Sequence, residues 1–595
     1  MGLMFFCSLF GRDAKFSHDV FLSKYAPLSQ QYEFEEIHAA FGRLIFISEL
    51  KNKYLSKKNT EDTFCFLYGR IFNLNNLIKN HGAINNPLEL LISLRKKYQG
   101  ELGSVLRGDF LLGFVCLKTG ALELIHSPFS HTMAYFTQPE KAGLYFSNSC
   151  SLLKKFLLTS PVISKNKFLD SLSRSYQYAD RTFYENIFNS LGGHILHWLP
   201  GQPIGSIQQK AYWQPKQEII ARPIKEHVET IRFLLEQAVS NRLPVESLEL
   251  EKVCCELSGG LDSSAVTALL AKNKNLKKIY GLVDYTEVQN RPSALKLLPA
   301  VTNHRQIEDF QSYYQNIEIH RCDGFSVPVT YSELTRFCLE YGAGPEHAPG
   351  NVLWIFYFYQ WAAQQGISYL FTGRRGDLAF SFKQTVPARN LWNVIRPILV
   401  HVKHNIQPRA QILKKRYWDL YYPVGAPMKK AKDLAEKRCL SVDFGNRCSS
   451  AFSCFNSAAS AAFDIIFCDP TADQDLIDYC LSVPPEFYLN HINKGGRYLA
   501  RKAIEDILPP SIVWNKTKGI QAAHWYAPLK KEMNYYQALL KDFAKHDLIS
   551  ECVDLNYLKK LLYQFETQPL HKLTKLHKFV LLNTLHVCEW VFLNK

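Results

Sequence analysis

Several features that would narrow the chain quickly are absent. No stretch approaches the ~20 apolar residues that a membrane-spanning helix takes, and the densest apolar run, 352–363, is too short. The 15 cysteines form no CxxC metal-ligand spacing, and Cys254 and Cys255 are adjacent in an apolar strand pattern. They read as reduced, core-filling thiols of a cytosolic protein. The apolar start lacks a basic n-region and a small-residue cleavage site, and Phe6 stands where N-myristoylation needs Ser or Thr. It reads as a first strand. Neither GxGxxG nor the GxxxxGK[ST] phosphate loop occurs. No zinc finger, basic zipper or RNA-binding signature accompanies the net charge of +16, whose short clusters, such as Lys414-Lys415-Arg416, read as solvated helix faces. The expectation is a cytoplasmic, soluble protein with no nucleic-acid partner and no membrane insertion. Internal repeats and low-complexity tracts are missing as well.

What is present is a folded profile, 47% hydrophobic and 13% aromatic, over 595 residues. A single core stops growing near roughly 250–300 residues, so two major domains are expected. Residues 1–205 read as short strands and turns, with strands at 64–68, 110–117, 145–147 and 194–198. A helix over 225–242 leads to a strand at 253–257, a helix from about Ser263 and a strand at 277–283, a βαβ unit of a parallel sheet. A helix over 352–366 then feeds a strand at 367–371. Residues 405–595 read as mostly helical, with amphipathic runs at 474–483, 496–507, 526–544 and 574–593.

The most specific segment is Glu256-Leu257-Ser258-Gly259-Gly260-Leu261-Asp262-Ser263-Ser264. It joins a strand to a helix. Two glycines let backbone N–H groups approach an anion, the helix N-terminus favours negative charge, and the hydroxyls of Ser263 and Ser264 add donors. A carboxylate inside such a loop needs a cation between it and a phosphate, which makes Asp262 a Mg²⁺ ligand candidate. Asp377, in Thr372-Gly373-Arg374-Arg375-Gly376-Asp377 after a predicted strand, is the candidate second ligand.

The loop matches the PP-loop consensus of adenylating ATP pyrophosphatases, and the chain resembles the asparagine synthetase superfamily, which includes β-lactam synthetases and lasso-peptide macrolactam synthetases. Leu67 to Asn73, Arg107-Gly108-Asp109-Phe110, Phe146-Ser147-Asn148 and Leu191-Gly192-Gly193-His194 resemble that family's glutaminase domain. The segments at 349–354, 372–377, 469–484 and 508–525 look most like microcin-type lasso cyclases. The resemblance implies an α/β fold of two domains. Residues 1–205 form an Ntn-hydrolase-like αββα domain, and 225–595 form a PP-loop synthetase domain with a helical C-terminal part.

Active glutaminase domains of the family begin with cysteine after loss of Met1. Here position 2 is Gly, and Cys7 lies too far along, so glutamine hydrolysis is expected to be absent. Arg374 and Arg375 replace positions often small, polar or acidic, with phosphate contacts or a spoiled loop as the two outcomes. Asn515 stands where Arg is common, and His524 where the subgroup often has an acid. The implied chemistry is adenylation of a carboxylate by ATP with Mg²⁺, release of pyrophosphate, and displacement of AMP by an amine. ATP would contact Leu257, Ser258, Gly259, Gly260, Leu261, Asp262, Ser263, Ser264, Val283, Thr372 and Gly373. Lys518, with Lys516 as the alternative, would be the phosphate-facing cation. The lasso resemblance implies ring closure within one peptide, with a precursor peptide and its leader-processing protease as partners. An ammonia-dependent asparagine synthetase or other small-molecule amide ligase, and a catalytically silent peptide- or nucleotide-binding protein, stay open as alternatives.

Overall fold

In the computed structural model the described residues are 4–11, 31–49, 55–81, 86–138, 143–157, 159–173, 178–243, 252–285, 304–346, 348–382, 410–420, 433–490, 495–515, 522–574 and 576–594. The first part contains β1 (Phe5–Gly11), β2 (Tyr32–Ala39), β3 (Gly42–Glu49), β4 (Leu55–Asn59), β5 (Thr63–Ile71), β6 (Gly108–Cys116), β7 (Leu122–His126), β8 (Tyr135–Thr137), β9 (Gly143–Ser147), β10 (Phe188–Asn189), β11 (His194–Trp198) and β12 (Gln208–Ala211). These strands make two antiparallel six-stranded sheets, ordered β10-β8-β9-β1-β3-β2 and β12-β11-β7-β6-β5-β4. Because β12 lies at an edge of the second sheet, the strand-rich part runs past the expected boundary at 205.

Period-2 alternation explains how the sheets meet. Phe5, Cys7 and Leu9 of β1 face the second sheet, where the Phe5 ring lies 5.3 Å from that of Phe66, while Phe6 points outward. Helices α1 (Leu74–His81) and α2 (Pro87–Tyr98) cover the outer face of the second sheet, where Leu90, Leu91 and Leu94 share a cluster with Cys65, Leu67 and Phe114. The local sequence dictates α2. Asn86 accepts from the N–H groups of Leu88 and Glu89, Pro87 opens the first turn, and Arg95, Lys96 and Lys97 close the last one. On the other side, α3 (Cys150–Lys155) and α4 (Lys165–Ser173) cover the first sheet, and Phe6 stacks on Phe156 at 4.3 Å. The layers are helix, sheet, sheet, helix.

The second part opens with α5 (Ile224–Arg242) and builds a parallel sheet from β13 (Lys252–Glu256), β14 (Lys278–Asp284), β15 (Ile317–Cys322), β16 (Tyr369–Phe371) and β17 (Ile466–Cys468). Between the strands run α6 (Leu261–Ala271), α7 (His304–Tyr313), α8 (Tyr331–Tyr341), α9 (Pro349–Gln364) and α10 (Leu434–Phe463). The sheet order is β15-β14-β13-β16-β17. The chain winds outward from β13 to β15 and then returns to the other side of β13, which sets a topological switch point between β13 and β16, where open parallel sheets bind ligands. Val253, Cys254 and Cys255 are all buried, as expected of a central strand covered on both faces.

Some expected elements shift. Helix α6 begins at Leu261, two residues before the expected start, because Gly260 takes the N-cap position. The run at 474–483 is α11 (Gln474–Ser482), whereas the run at 496–507 shortens to α12 (Tyr498–Ala503). The run at 526–544 breaks at Glu532, between α13 (Tyr526–Lys531) and α14 (Met533–Phe543). The Glu532 carboxylate accepts from the N–H groups of Tyr331 and Ser332 at the start of α8. The run at 574–593 contains a π-helical turn, His577–Leu581, before α15 (Leu582–Leu593). The cysteines whose side chains are described are free thiols. No helix among the described residues is long and apolar enough to cross a membrane.

Candidate active site

The loop between β13 and α6 sits at the carboxyl end of the central strand. Gly259 has φ +69°, the left-handed region that glycine tolerates, and this turns the chain back toward α6. The Ser263 hydroxyl accepts from Ser258 N–H at 3.2 Å and lies 2.9 Å from the Ser258 hydroxyl, while Gly260 N–H donates to the Ser258 hydroxyl at 3.3 Å. The loop is thus closed upon itself at the N-terminus of an 11-residue helix. Ser264 Oγ is buried with no hydrogen-bond partner. Leu257, Leu261 and Val283 are also buried, so they offer a ligand backbone groups rather than side chains. Thr372 Oγ1 accepts from Arg374 N–H at 3.0 Å and supports the neighbouring loop.

The two strand-end loops meet at Asp262. A Cβ on Gly373 would lie 2.7 Å from the Asp262 carbonyl carbon, and one on Gly376 would lie 2.3 Å from Asp262 Oδ1. Only glycine fits at either place. Arg497 bridges the two carboxylates, hydrogen-bonding Asp377 Oδ1 and approaching Asp262 Oδ2 at 3.7 Å. Burial, then the nearby Asp377 charge, pushes the Asp262 carboxyl up to about 7, against the pull of Arg497. Asp262 Oδ1 is buried without a hydrogen-bond partner. Two carboxylates from adjacent loops, one with an orphaned buried oxygen, suit a hard divalent cation whose remaining ligands come from phosphate and water. Among the described residues no group of three or more His, Cys, Asp or Glu side chains is placed to hold a metal. The donor set is therefore suited to a shared ion rather than a closed protein cage.

Arg497 went unnoticed in the sequence. A left-handed φ of +68° after Gly495 and Gly496 holds it at the N-cap of α12, where a hydroxyl or carboxylate is the usual residue. A cation in that place, behind two glycines, was the available signal. Lys516 and Lys518, the expected phosphate-facing cations, lie outside the described residues.

The Arg374-Arg375 pair is turned toward the protein. Arg374 Nε donates to Glu256 at 2.8 Å and its Nη2 donates to the Tyr359 hydroxyl at 2.8 Å. Arg375 donates to the Phe129 carbonyl of the strand-rich part, and its N–H donates to Asp469 at 3.1 Å. Both guanidinium groups are engaged within the protein. They brace the loop from behind.

The two parts of the chain meet around Arg242, which is 3% exposed. It pairs with Asp109 at 3.0 Å and with Asp473 at 2.9 Å. Arg70 fixes the same turn by donating to the carbonyls of Arg242 and Leu243. Beside this cluster lies a cavity of about 60 Å³, lined by Gly69, Asp109, His131, Asn148, Ser457 and Cys468 among others. Cys7 is buried in the core between the sheets, and burial pushes its thiol well up, so it is an unreactive packing residue.

An asparagine synthase family model matches residues 230–293 and 430–587. The match includes the Ser258–Ser264 loop, Val283, Arg497, Lys516 and Lys518, and it marks the chain as an ATP-dependent carbon–nitrogen ligase of the asparagine synthetase type. Thr372, Gly373 and Asp377 fall between the matched stretches. No curated protein matches the sequence significantly. Among solved structures, a glutamine phosphoribosylpyrophosphate amidotransferase from B. subtilis complexed with ADP and GMP is similar at 11% identity, over 51% of this chain and 70% of that one, with a TM-score of 0.24. A structure described as the allosteric regulatory enzyme of purine biosynthesis is similar at 10% identity, over 53% and 80%, with a TM-score of 0.25.

Proposed function

We propose that the chain adenylates a carboxylate of a peptide and joins it to an amine of the same peptide, closing a macrolactam ring. Its β13–α6 loop is read as a PP-loop and its strand-rich part as an inactive Ntn-type domain. The observation that carries the ATP chemistry is the meeting of Asp262 and Asp377 at the sheet's switch point, directly beside the glycine loop. Backbone N–H groups at the start of α6 hold the departing pyrophosphate, and Ser263 and Ser264 line the same turn. Asp262 and Asp377 would hold a Mg²⁺ ion, which would supply charge neutralisation at the phosphates. Arg497 then turns from the carboxylates to the phosphates, and Lys516 or Lys518 adds the second cation. Little covalent help is needed, because positioning and charge neutralisation supply most of the rate in transfer at phosphorus.

An amine carried by the substrate is favoured by the state of the strand-rich part. Cys7 is locked in the core, and the carboxylate of Asp109 is taken by Arg242. The experiment supplies MgATP with either L-aspartate and ammonium or peptides bearing an acidic side chain and a free N-terminal amine. The expected products are AMP and pyrophosphate in equal amounts and a peptide lighter by one water. Asparagine formed in place of any cyclised peptide would establish the small-molecule ligase instead. ATP binding without turnover of any pair would establish the silent binding protein.

A further inference from the structure

The carboxyl edge of the parallel sheet carries a second group of titratable side chains, and three distant segments supply it. Asp284 ends β14, His524 lies in the turn before α13, and Lys578 lies in the π-helical turn. Asp284 Oδ1 is 3.4 Å from His524 Nδ1. Lys578 Nζ donates to the Ala522 carbonyl at 3.2 Å, and Ala522 is held at φ +49°, a backbone conformation that alanine rarely adopts. The position relative to the nucleotide loop follows from strand register. Glu256 pairs with Leu282, and Leu257 N–H donates to the Leu282 carbonyl. Asp284 closes β14 two residues beyond Leu282, at the same carboxyl edge from which the Ser258–Ser264 loop departs.

This cluster is closely built. A Cβ on Gly324 would lie 1.8 Å from His524 Nδ1, and one on Gly350, at the start of α9, would lie 3.5 Å from Lys578 Cε. The next residue, Asn351, has a buried Oδ1 with no hydrogen-bond partner. π-Turns within helices concentrate at functional sites, because the extra residue re-aims a side chain that an α-helix would direct elsewhere. Asp284 from β14 and His524 from the turn both interact electrostatically with Lys578. Its own turn contributes His577, whose Nδ1 accepts from Thr574 N–H. Burial dominates over Asp284 and pushes the Lys578 ammonium down to about 8, while burial, helped by Lys578, keeps His524 neutral by lowering it to about 3.

We propose that Lys578, positioned by Asp284 and His524, is the base that takes the proton from the incoming amine. The inference rests on the ligase reading above and names a group for its second half-reaction. An ammonium, R–NH₃⁺, gives one proton to neutral Lys578 Nζ and becomes R–NH₂. The nitrogen lone pair then forms the C–N bond to the acyl carbon, and the C–O bond to AMP breaks with its electron pair leaving on AMP. The surplus proton on nitrogen goes to water, and Lys578 returns its own proton to solvent past Asp284. A base of this kind works only if part of it is neutral near working pH, which burial achieves for a lysine.

Two measurements test this. In the free protein, trace labelling with isotopic acetic anhydride across pH 6–11, read peptide by peptide, should give Lys578 half-maximal reactivity near pH 8. A curve that follows the other lysines, near 10.4, would overturn the inference whatever the substrate is. In turnover, ATP–pyrophosphate exchange is measured with L-aspartate and with the acidic peptides, in wild type, Lys578→Gln and Lys578→Arg. Exchange should be unchanged in both variants while amide formation from an alkylamine or ammonium falls by about 100-fold or more. Hydroxylamine is already neutral at pH 7.5 and should still form the hydroxamate within a few-fold of wild type. Loss of exchange together with amide formation in both variants, or loss of the hydroxamate, would make Lys578 a structural or nucleotide-binding residue and overturn the proposal. Absence of exchange in wild type with every carboxylate would instead refute the ligase reading itself.

Discussion

Asp262→Asn should make the nucleotide-free protein more stable at neutral pH, although it removes a central residue of the candidate site. The native carboxyl sits near 7, raised first by burial and then by Asp377, whereas an unfolded aspartate titrates near 3.9. Between those values the native protein keeps a proton that the unfolded chain has released, so this group's contribution falls as pH rises from about 4 to 7 and is fully unfavourable above. About three pH units at 1.36 kcal/mol each amount to roughly 4 kcal/mol. Asp262 is 14% exposed and its loss frees Arg497 from one carboxylate, which reduces the expected gain to about 2–3 kcal/mol. Melting temperature is the quantity to follow, since a chain of 595 residues in two parts does not unfold in one step. At pH 7.5 without Mg²⁺ the variant should melt about 3–4 °C above wild type, with the difference vanishing near pH 4. Equal melting curves at both pH values, or a variant less stable at pH 7.5, would refute the burial of an uncompensated carboxylate.

The other predictions concern neighbouring contacts. Gly376→Ala places a methyl group on Asp262 Oδ1, so Mn²⁺ binding in the presence of ATP, followed by electron paramagnetic resonance, should weaken at least tenfold while the overall circular dichroism is kept. Arg497→Gln should tighten Mn²⁺ binding to the nucleotide-free protein, because a competing cation is gone, yet weaken MgATP binding by calorimetry. A variant that weakens both would contradict the bridging role. Arg242→Met leaves two partly buried carboxylates, Asp109 and Asp473, without their cation and should cost about 2–3 kcal/mol by denaturant titration at neutral pH, with MgATP affinity unchanged. Lowering the pH toward 4 should recover part of that loss as Asp109, whose carboxyl burial raises, takes up a proton.

Much of this arrangement was legible in the sequence where local chemistry decides it. The apolar run at 253–257 and the following double glycine mark a strand and the turn into its helix without any tertiary information, and β11 falls over 194–198 as expected. Strands β15 and β17 were not legible. Ile317–Cys322 mixes Glu, His and Arg into an edge strand, and Ile466–Cys468 is only three residues long after a 30-residue helix. Both depend on pairing with a neighbour already in place. The pairing of Asp262 with the loop carrying Asp377 was expected from strand-end position, and the glycine contacts bring them together. The partners of the two arginines were not legible for a related reason. A basic pair in a glycine loop suggests phosphate, but Glu256 and Tyr359 claim Arg374 and the Phe129 carbonyl claims Arg375, contacts visible only once the parts are packed. Arg497 and Lys578 reach the sheet edge from residues far along the chain, so no local spacing announces them.

The central claim is that the Ser258–Ser264 loop and its two carboxylates split ATP between the α- and β-phosphates to activate a carboxylate. The most direct measurement is the ³¹P spectrum of ATP after incubation with Mg²⁺ and the acidic peptides, for wild type, Asp262→Asn and Asp377→Asn. AMP and pyrophosphate should appear in equal amounts with wild type and in neither variant. ADP and phosphate as the products, or unchanged AMP formation by Asp262→Asn, would contradict the account.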